Sequence, residues 1–428
     1  MRRVLLLLTL VGAMLLACTG VVLAQQASPA QEASNHLAVP GQSEDVCPGP
    51  VEPGKARCLS KVRTDANTSG VSPNVTPSGY HPDDLQSAYN LPSDTAGSGM
   101  IVAIVDAFDD PNAESDLQTY RSQFGLPVCT SANGCFRKVD QRGGTSYPKA
   151  DEGWALEISL DLDMASAICP NCKILLVEAD DSSFANLTAG VDTAASLGAN
   201  AISNSYGGPE LFSEQFAEGS YDHPGIAITA ASGDSGYGVS FPAASEFVTA
   251  VGGTTLTTDN GTTRGWSESV WGSGGTSSID GGTGSGCSTF IPKPSWQTDS
   301  GCSRRTVGDV AAVADPNTGV AVYDSFGFQG RSGWFQIGGT SASAPIIASV
   351  YALAGNTSSV DGANLPYSHT SSLYDVTSGS NGNCATLTTK RKGHRRTVFV
   401  PSLQYLCTGV QGYDGPTGNG TPNGTGAF

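Results

Sequence analysis

Gly338-Gly339-Thr340-Ser341-Ala342-Ser343-Ala344-Pro345, followed by an apolar run over residues 346–354, is the stretch around which the chain is organised. Two glycines and a threonine precede a serine, and the run after it predicts a buried helix whose first turn stays at the surface. A serine there lies at a helix N-terminus, where free backbone N–H groups and the helix dipole favour negative charge. That placement suits a nucleophile whose reaction creates an oxyanion. Taken alone, the stretch reads as well as a Ser/Thr helix cap after a glycine turn, so the rest of the chain has to decide.

Towards the N-terminus, strand-like and helix-like segments alternate. Residues 100–106 read as a buried strand, 113–124 and 152–168 as helices, 173–178 as a strand, 184–197 as a helix, and 201–205 and 225–231 as strands. Such alternation predicts an α/β fold with a parallel sheet flanked by helices. Residues 252–302, rich in Gly, Ser and Thr, are expected to form a long surface excursion. Apolar, strand-like sequence returns at 309–323, just before the serine stretch. Residues 79–428 are read as one large domain, without internal repeats.

Before this body, residues 1–24 have the form of a secretory signal: Arg2 and Arg3, an apolar stretch to Leu16, and a small-residue cleavage pattern ending at Ala24. Residues 25–78, rich in Ser, Pro, Ala and Gln, read as an irregular leader or short prosegment. No later apolar run is long enough to span a bilayer. Of 11 cysteines, Cys18 leaves with the signal, and the other ten fall in close pairs. Pairing of nearest neighbours gives Cys47–Cys58, Cys129–Cys135, Cys169–Cys172, Cys287–Cys302 and Cys384–Cys407, a disulfide framework suited to export. A net charge of −17 argues against a nucleic-acid partner.

A nucleophilic serine needs a base. Glu157 and Asp161 are four apart in the helix predicted over 152–168 and therefore share one face. Held close and partly buried, two carboxyls share a proton and one pKa rises, which is suitable for a general base working in acid. The alternative is a solvated acidic face, because Asp151, Glu152 and Asp163 lie nearby. Asp234, in Ala231-Ser232-Gly233-Asp234-Ser235-Gly236, reads as a turn former after a buried strand. A protonated carboxyl at such a place can also donate a hydrogen bond to an oxyanion.

With these three segments the chain resembles the sedolisin family, serine-carboxyl peptidases with a subtilisin-like fold. The matching residues are Glu157 and Asp161 in Glu-Ile-Ser-Leu-Asp, Asp234 in Ser-Gly-Asp-Ser-Gly, and Ser341 in Gly-Gly-Thr-Ser-Ala-Ser-Ala-Pro. The resemblance runs from about Gly79 to the C-terminus, in family order. It implies that Ser341 attacks the scissile carbonyl, Glu157 takes the proton and returns it to the leaving amine, Asp161 orients Glu157, and protonated Asp234 stabilises the oxyanion. None of the five histidines falls where a subtilisin keeps its catalytic one, and Asp106, at the subtilisin aspartate position, is read as structural. The resemblance also implies one structural calcium (Ca2+), held by Asp375 and Asp414 with the carbonyls of Val376, Val410 and Gly412. Family members carry a long folded propeptide, whereas only residues 25–78 precede the body here.

The implied function is a secreted, monomeric, acid-active peptidase acting on protein or peptide substrates, with no membrane association after signal cleavage. It could cut as an endopeptidase or as a tripeptidyl peptidase. Two other readings compete: an inactive surface-binding protein on the same scaffold, and a subtilisin-like neutral peptidase, which the missing histidine opposes. The basic run at 390–396 reads as a solvated loop.

Overall fold

The computed structural model describes residues 43–65, 76–272, 281–384, 386–391 and 394–428. The signal segment 1–24 and leader residues 25–42 and 66–75 lie outside the described residues. Three short strands come first, β1 (Ser43–Asp45), β2 (Arg57–Cys58) and β3 (Lys61–Arg63). Helix α1 (Pro82–Ala88) leads into β4 (Ile101–Ala107), α2 (Ala113–Gln123) and β5 (Phe136–Asp140). Next come α3 (Glu152–Ile168), β6 (Lys173–Ala179), α4 (Phe184–Ser196), β7 (Ala201–Asn204) and β8 (Tyr206–Pro209). They are followed by β9 (Ala227–Ala231), β10 (Ser235–Tyr237), β11 (Ser240–Phe241), β12 (Thr249–Thr258), β13 (Trp266–Val270) and β14 (Gly282–Cys287). Strands β15 (Thr306–Val307) and β16 (Val310–Val313) precede a hairpin of β17 (Val320–Phe328) and β18 (Arg331–Gly338), which runs into α5 (Thr340–Ala354).

The main sheet has the order β13-β12-β9-β7-β4-β6-β5, with β16 also paired to β12. Its pairings are parallel except for β13, which runs antiparallel to β12. Parallel strands covered by helices are buried on both faces and read as continuous apolar runs. Strand β4, Ile-Val-Ala-Ile-Val-Asp-Ala, is of this kind, and its one polar residue is Asp106. Helix α3 is the other central element. Asp151 caps it, its carboxylate accepting the N–H groups of Gly153 and Trp154 at 3.1 Å each. Residues 153–168 are buried on every face, as expected of a helix inside a core rather than on a surface. It packs against α5, β17 and β4.

The alternating body of the sequence reading is present, with boundaries moved by a residue or two. The five cysteine pairs are joined as expected. Three expectations are corrected. The described part of the leader, 43–65, is ordered by strands that pair with distant partners: β2 with β8, and β3 with β18. The stretch 252–302 is not a surface excursion, because β12 crosses the sheet and Gly282, Thr283, Gly284 and Ser285 are buried. The described residues of the basic run, 390–391 and 394–396, belong to paired strands Thr386–Arg391 and His394–Phe399. In the first two cases non-local pairing supplied order that local composition does not signal; the third is a local hairpin with Arg391 opposite His394. A buried Arg305–Asp309 fork, with contacts of 2.7 and 2.5 Å, anchors the start of β16.

Burial raises many carboxyl pKa values: Asp110 to about 7, Glu218 to about 7 and Asp324 to about 6, desolvation being the largest cause for each. A carboxyl that binds its proton more tightly when folded stabilises the fold below its unfolded pKa, and that contribution is lost as pH rises through the folded value. Thermal melts should therefore give the highest Tm near pH 4 and a continuous fall towards about pH 7, the window between reference and shifted values. A Tm that is flat or rises over this interval contradicts the assignment.

Candidate active site

The N-terminus of α5 is set by its first residues. Gly339 has φ +99° and ψ 162°, a region that essentially only glycine occupies. A Cβ there would lie 2.4 Å from the Leu59 carbonyl oxygen and 2.6 Å from Asp234 Oδ2. Pro345, inside the helix, has no N–H to offer the Ser341 carbonyl. Ser205 Oγ donates to that carbonyl instead, at 3.3 Å. Ser341 is 0% exposed. Its N–H donates to the Leu59 carbonyl at 2.9 Å. Its Oγ donates to the Ser205 carbonyl at 3.0 Å and accepts the Leu59 N–H at 3.1 Å.

The turn after β9 delivers Asp234 to the same point. Its Oδ1 accepts two hydrogen bonds from Thr340, from the N–H at 2.8 Å and from Oγ1 at 2.7 Å. Gly233 N–H in turn donates to Thr340 Oγ1 at 3.1 Å. Oδ2 is buried without a partner among the described residues. Burial pushes the Asp234 carboxyl up to about 6, against the opposing effects of the Lys61 charge and the Thr340 hydrogen bonds. With Oδ1 already accepting twice, a proton on this carboxyl belongs on Oδ2.

Glu157 and Asp161 are both fully buried on α3, so the solvated-face reading of this helix does not hold. Asp163 is buried as well and accepts the Tyr323 N–H at 2.9 Å. Glu157 Oε2 accepts a short hydrogen bond from Ser60 Oγ. The Ser341 hydroxyl lies close enough to lower the Glu157 pKa, although its hydrogen bond is aligned on the Ser205 carbonyl. Ser205 Oγ stands in the same relation to Asp161. Burial nevertheless raises both carboxyls well above their ordinary values, and the charge of Asp106 raises them further. Asp106 itself is pushed up to about 8 by burial. It is thus electrostatically part of the Glu157–Asp161 pair, which the sequence reading of it as structural left out. Three described histidines are engaged elsewhere: His81 with the Pro77 carbonyl, His223 with Asp192, and His369 with the Leu365 carbonyl.

At the other expected site, Asp375 and Asp414 meet at the turn over 409–414. Gly412 N–H donates to Asp375 Oδ2 at 2.9 Å, and Val410 N–H to Asp414 Oδ2 at 3.0 Å. Asp414 is pushed up to about 7, first by burial, with the Asp375 charge adding to it. No cluster of three or more His, Cys, Asp or Glu side chains able to hold a metal occurs among the described residues, so a cation here would depend on backbone carbonyls. Sequence reasoning missed Leu59, Ser60 and Ser205. The first two lie in a segment without local periodicity, and Ser205 closes a strand whose end carries no motif.

Residues 149–360 match the model of the subtilase family. The chain is 32% identical to kumamolisin from Bacillus sp. (strain MN-32), over 68% of this chain and 54% of kumamolisin. It is 28% identical to sedolisin from Pseudomonas sp. (strain 101), over 72% of this chain and 57% of sedolisin. Against xanthomonalisin from Xanthomonas sp. (strain T-22) the identity is 27%, over 71% of this chain and 42% of that protein. The chain thus spans about half the length of the curated relatives it matches. A solved structure of Pseudomonas sedolisin, a serine-carboxyl proteinase complexed with two molecules of pseudo-iodotyrostatin, aligns with a TM-score of 0.65 at 26% identity, covering 82% of this chain and 96% of that one.

The approach at Gly339 yields a prediction. Gly339→Ala combines a glycine-only conformation with two contacts far inside van der Waals distance, and should cost on the order of 1–3 kcal/mol from backbone strain alone. Denaturant unfolding should show at least that loss. A variant as stable as the parent would mean that the backbone does not hold this conformation.

Proposed function

We propose that this chain, which belongs to the sedolisin family, is an acid-active serine-carboxyl peptidase that hydrolyses peptide bonds through an acyl-enzyme on Ser341. One observation carries the reading. The Ser341 N–H and the unpartnered Asp234 oxygen flank a single peptide carbonyl, while the Ser341 hydroxyl lies beside a buried Glu157. The Asp234 oxygen and the Leu59 carbonyl oxygen lie 2.6 and 2.4 Å from the point a Cβ on Gly339 would take, which supports a nucleophile, a base and two donors to an oxyanion in one neighbourhood.

In this mechanism Ser341 Oγ turns from the Ser205 carbonyl to Glu157 and adds to the substrate carbonyl carbon, its proton passing to Glu157. The negative charge that develops on oxygen is met by the Ser341 N–H and by the proton on Asp234. Glu157 hands its proton to the leaving amine. A water molecule then repeats the sequence on the ester. Asp161 and Asp106 act through Glu157: their proximity makes full ionisation of the three carboxyls costly, so the cluster retains protons at a pH where isolated carboxyls have lost them.

The five disulfides suit an oxidising compartment and support an extracellular protein that acts on protein or peptide substrates. Among the described residues no helix is long and apolar enough to cross a membrane. The reading also includes one calcium ion held by Asp375, Asp414 and the carbonyls of Val376, Val410 and Gly412. The fit rests on an all-oxygen donor set and on two carboxyls whose mutual repulsion a cation relieves. The role of the ion would be structural, clamping the 409–414 turn. Excess chelator should lower Tm by several degrees, because an ion bound only by the folded state stabilises it by mass action. An unchanged Tm with no metal found by elemental analysis removes the ion from the account.

Activity on a denatured protein should trace a bell with both limbs below neutral pH. It falls as pH rises through the Asp234 value of about 6, because the donor loses its proton. It falls again in stronger acid, where the Glu157–Asp161 pair is fully protonated and Glu157 can no longer accept one. Ser341→Ala, Glu157→Gln and Asp161→Asn should each lower kcat/KM on the order of 10³-fold or more with the fold retained by circular dichroism. Asp234→Asn, if active, should shift the alkaline limb upward. An optimum at or above neutrality in the parent rejects the carboxyl base even if Ser341 proves essential.

A further inference from the structure

The basic run at 390–396 has no part in the mechanism above. Five of the chain's 22 Lys and Arg residues lie in these seven positions, on a chain of net charge −17, and no Asp or Glu occurs between Asp375 and Asp414. The run falls on a separate two-stranded sheet, Thr386–Arg391 paired antiparallel with His394–Phe399. The register sets Lys390 opposite Arg395 and Arg391 opposite His394, with Arg396 opposite Thr389. Like charges directly opposite one another destabilise a pair of strands, and a lone hairpin is marginally stable in water. An anion laid along these positions relieves the repulsion that the register creates. The root of the hairpin is firmly held. A Cys384–Cys407 disulfide closes it. Asn381 N–H donates to the Cys407 carbonyl at 3.0 Å, and the Asn381 side-chain amide donates to the Thr283 carbonyl at 2.6 Å and to Ser285 Oγ at 2.8 Å. Ser285 Oγ donates in turn to the Leu406 carbonyl at 2.7 Å. Both legs of the hairpin therefore stand on β14. Strand β14 lies parallel to β10, with Tyr237 opposite Ser285, and β10 begins at the residue after Asp234. Tyr237 N–H donates to the Asn381 carbonyl at 3.1 Å. Tyr237 also lines a cleft with Asp234, Gly207 and Gly208, so the hairpin is rooted on one wall of the candidate active site.

We propose that this hairpin recognises acidic polypeptide substrates: the basic positions Lys390, Arg391, Arg395 and Arg396 attract a run of Asp and Glu that lies outside the cleft, on the same substrate chain as the scissile bond. The inference rests on the peptidase reading above and adds a substrate class to it. A six-residue strand rises roughly 20 Å, and an extended substrate covers that distance in roughly six residues. The acidic run should therefore act from about that far along the substrate. The rest of the chain is strongly acidic and repels such a run, so the attraction is confined to the hairpin. The root favours a polypeptide over other anions. A hairpin that served a polysaccharide or a lipid surface has no need to stand on the strand that follows Asp234. A single exposed ion pair contributes little. Several cations acting on one run, and steering its approach, should raise kcat/KM about 10-fold through KM, and only at low salt.

The test takes a peptide that the parent cuts, identified in its digest of a denatured protein, and adds a run of Glu or a run of Gln about six residues from the scissile bond, on either side. The assay is run at about pH 5, above the reference values of Asp and Glu, and at about 0.01 M salt, where charges act over about 30 Å. From at least one side, the parent should cut the Glu peptide with a kcat/KM about 10-fold above that for the Gln peptide, KM carrying the difference. Lys390→Gln, Arg391→Gln and Arg395→Gln combined should remove the preference and leave the rate on the Gln peptide unchanged. Raising salt to about 1 M should do the same to the parent. Thermal melts should find the combined variant no less stable, because it relieves like-charge pairs, so a lost preference is not a lost fold. Binding of both peptides to Ser341→Ala, followed by fluorescence anisotropy, reads the hairpin without chemistry and should show the same preference. Equal rates on the two peptides in a parent that cuts both overturn this inference alone. A parent that digests no protein overturns it together with the peptidase reading. A preference that survives the three substitutions, or equal binding of the two peptides by Ser341→Ala, overturns it. Hairpin-dependent binding of a sulfated polysaccharide, with the Glu and Gln peptides treated alike, gives the hairpin to another anion and overturns it as well.

Discussion

Asp106, Glu157 and Asp161 are buried, and the charge of Asp106 raises the pKa of the other two. An unpaired buried carboxylate costs several kcal/mol even after the protein relaxes around it. The cluster therefore keeps protons that isolated carboxyls would lose, and the fold has to hold it in place. It does so with two buried elements: β4, whose only polar residue is Asp106, and α3, enclosed on every face from residue 153 onward. Tighter proton binding by the folded chain than by the unfolded one follows from this arrangement.

The second constraint is steric. Gly339 lets one carbonyl oxygen and one carboxyl oxygen approach the start of α5, where the helix dipole and the Ser341 N–H favour developing negative charge. Asp234 is tuned by contributions from both sides of this point. Burial raises its pKa, and Lys61, on the strand that passes over the site, lowers it. The segment that occupies the cleft thus also adjusts the charge of the group facing it. The same strands, β8 and β18, that border Ser341 supply the ladders on which that segment lies.

Much of the fold was legible because its signals are local. The apolar run ending in Asp106, the helical stretch 152–168, and the glycine-serine start of α5 each announce an element in a few residues. Glu157, Asp161, Asp234 and Ser341 were picked out because each lies in a short motif, and the structure brings all four to one place. What escaped was order that depends on distant partners. β2 is a two-residue strand only because β8 is there to pair with it. Gly282, Thr283, Gly284 and Ser285 are buried although their composition reads as loop. Asp106 was read as structural because no histidine needed it. Its coupling to two carboxyls on another element is invisible until the sheet and helix are packed.

The most direct test of this account is a pH titration of the side-chain carboxyl carbons of Glu157, Asp161 and Asp106, observed by NMR with labelled Asp and Glu and assigned by single substitutions. Raised, mutually dependent midpoints, in which replacing one carboxyl lowers the midpoints of the others, are the predicted result. Three independent titrations near 3.8 and 4.5, the ordinary values for Asp and Glu, would contradict it.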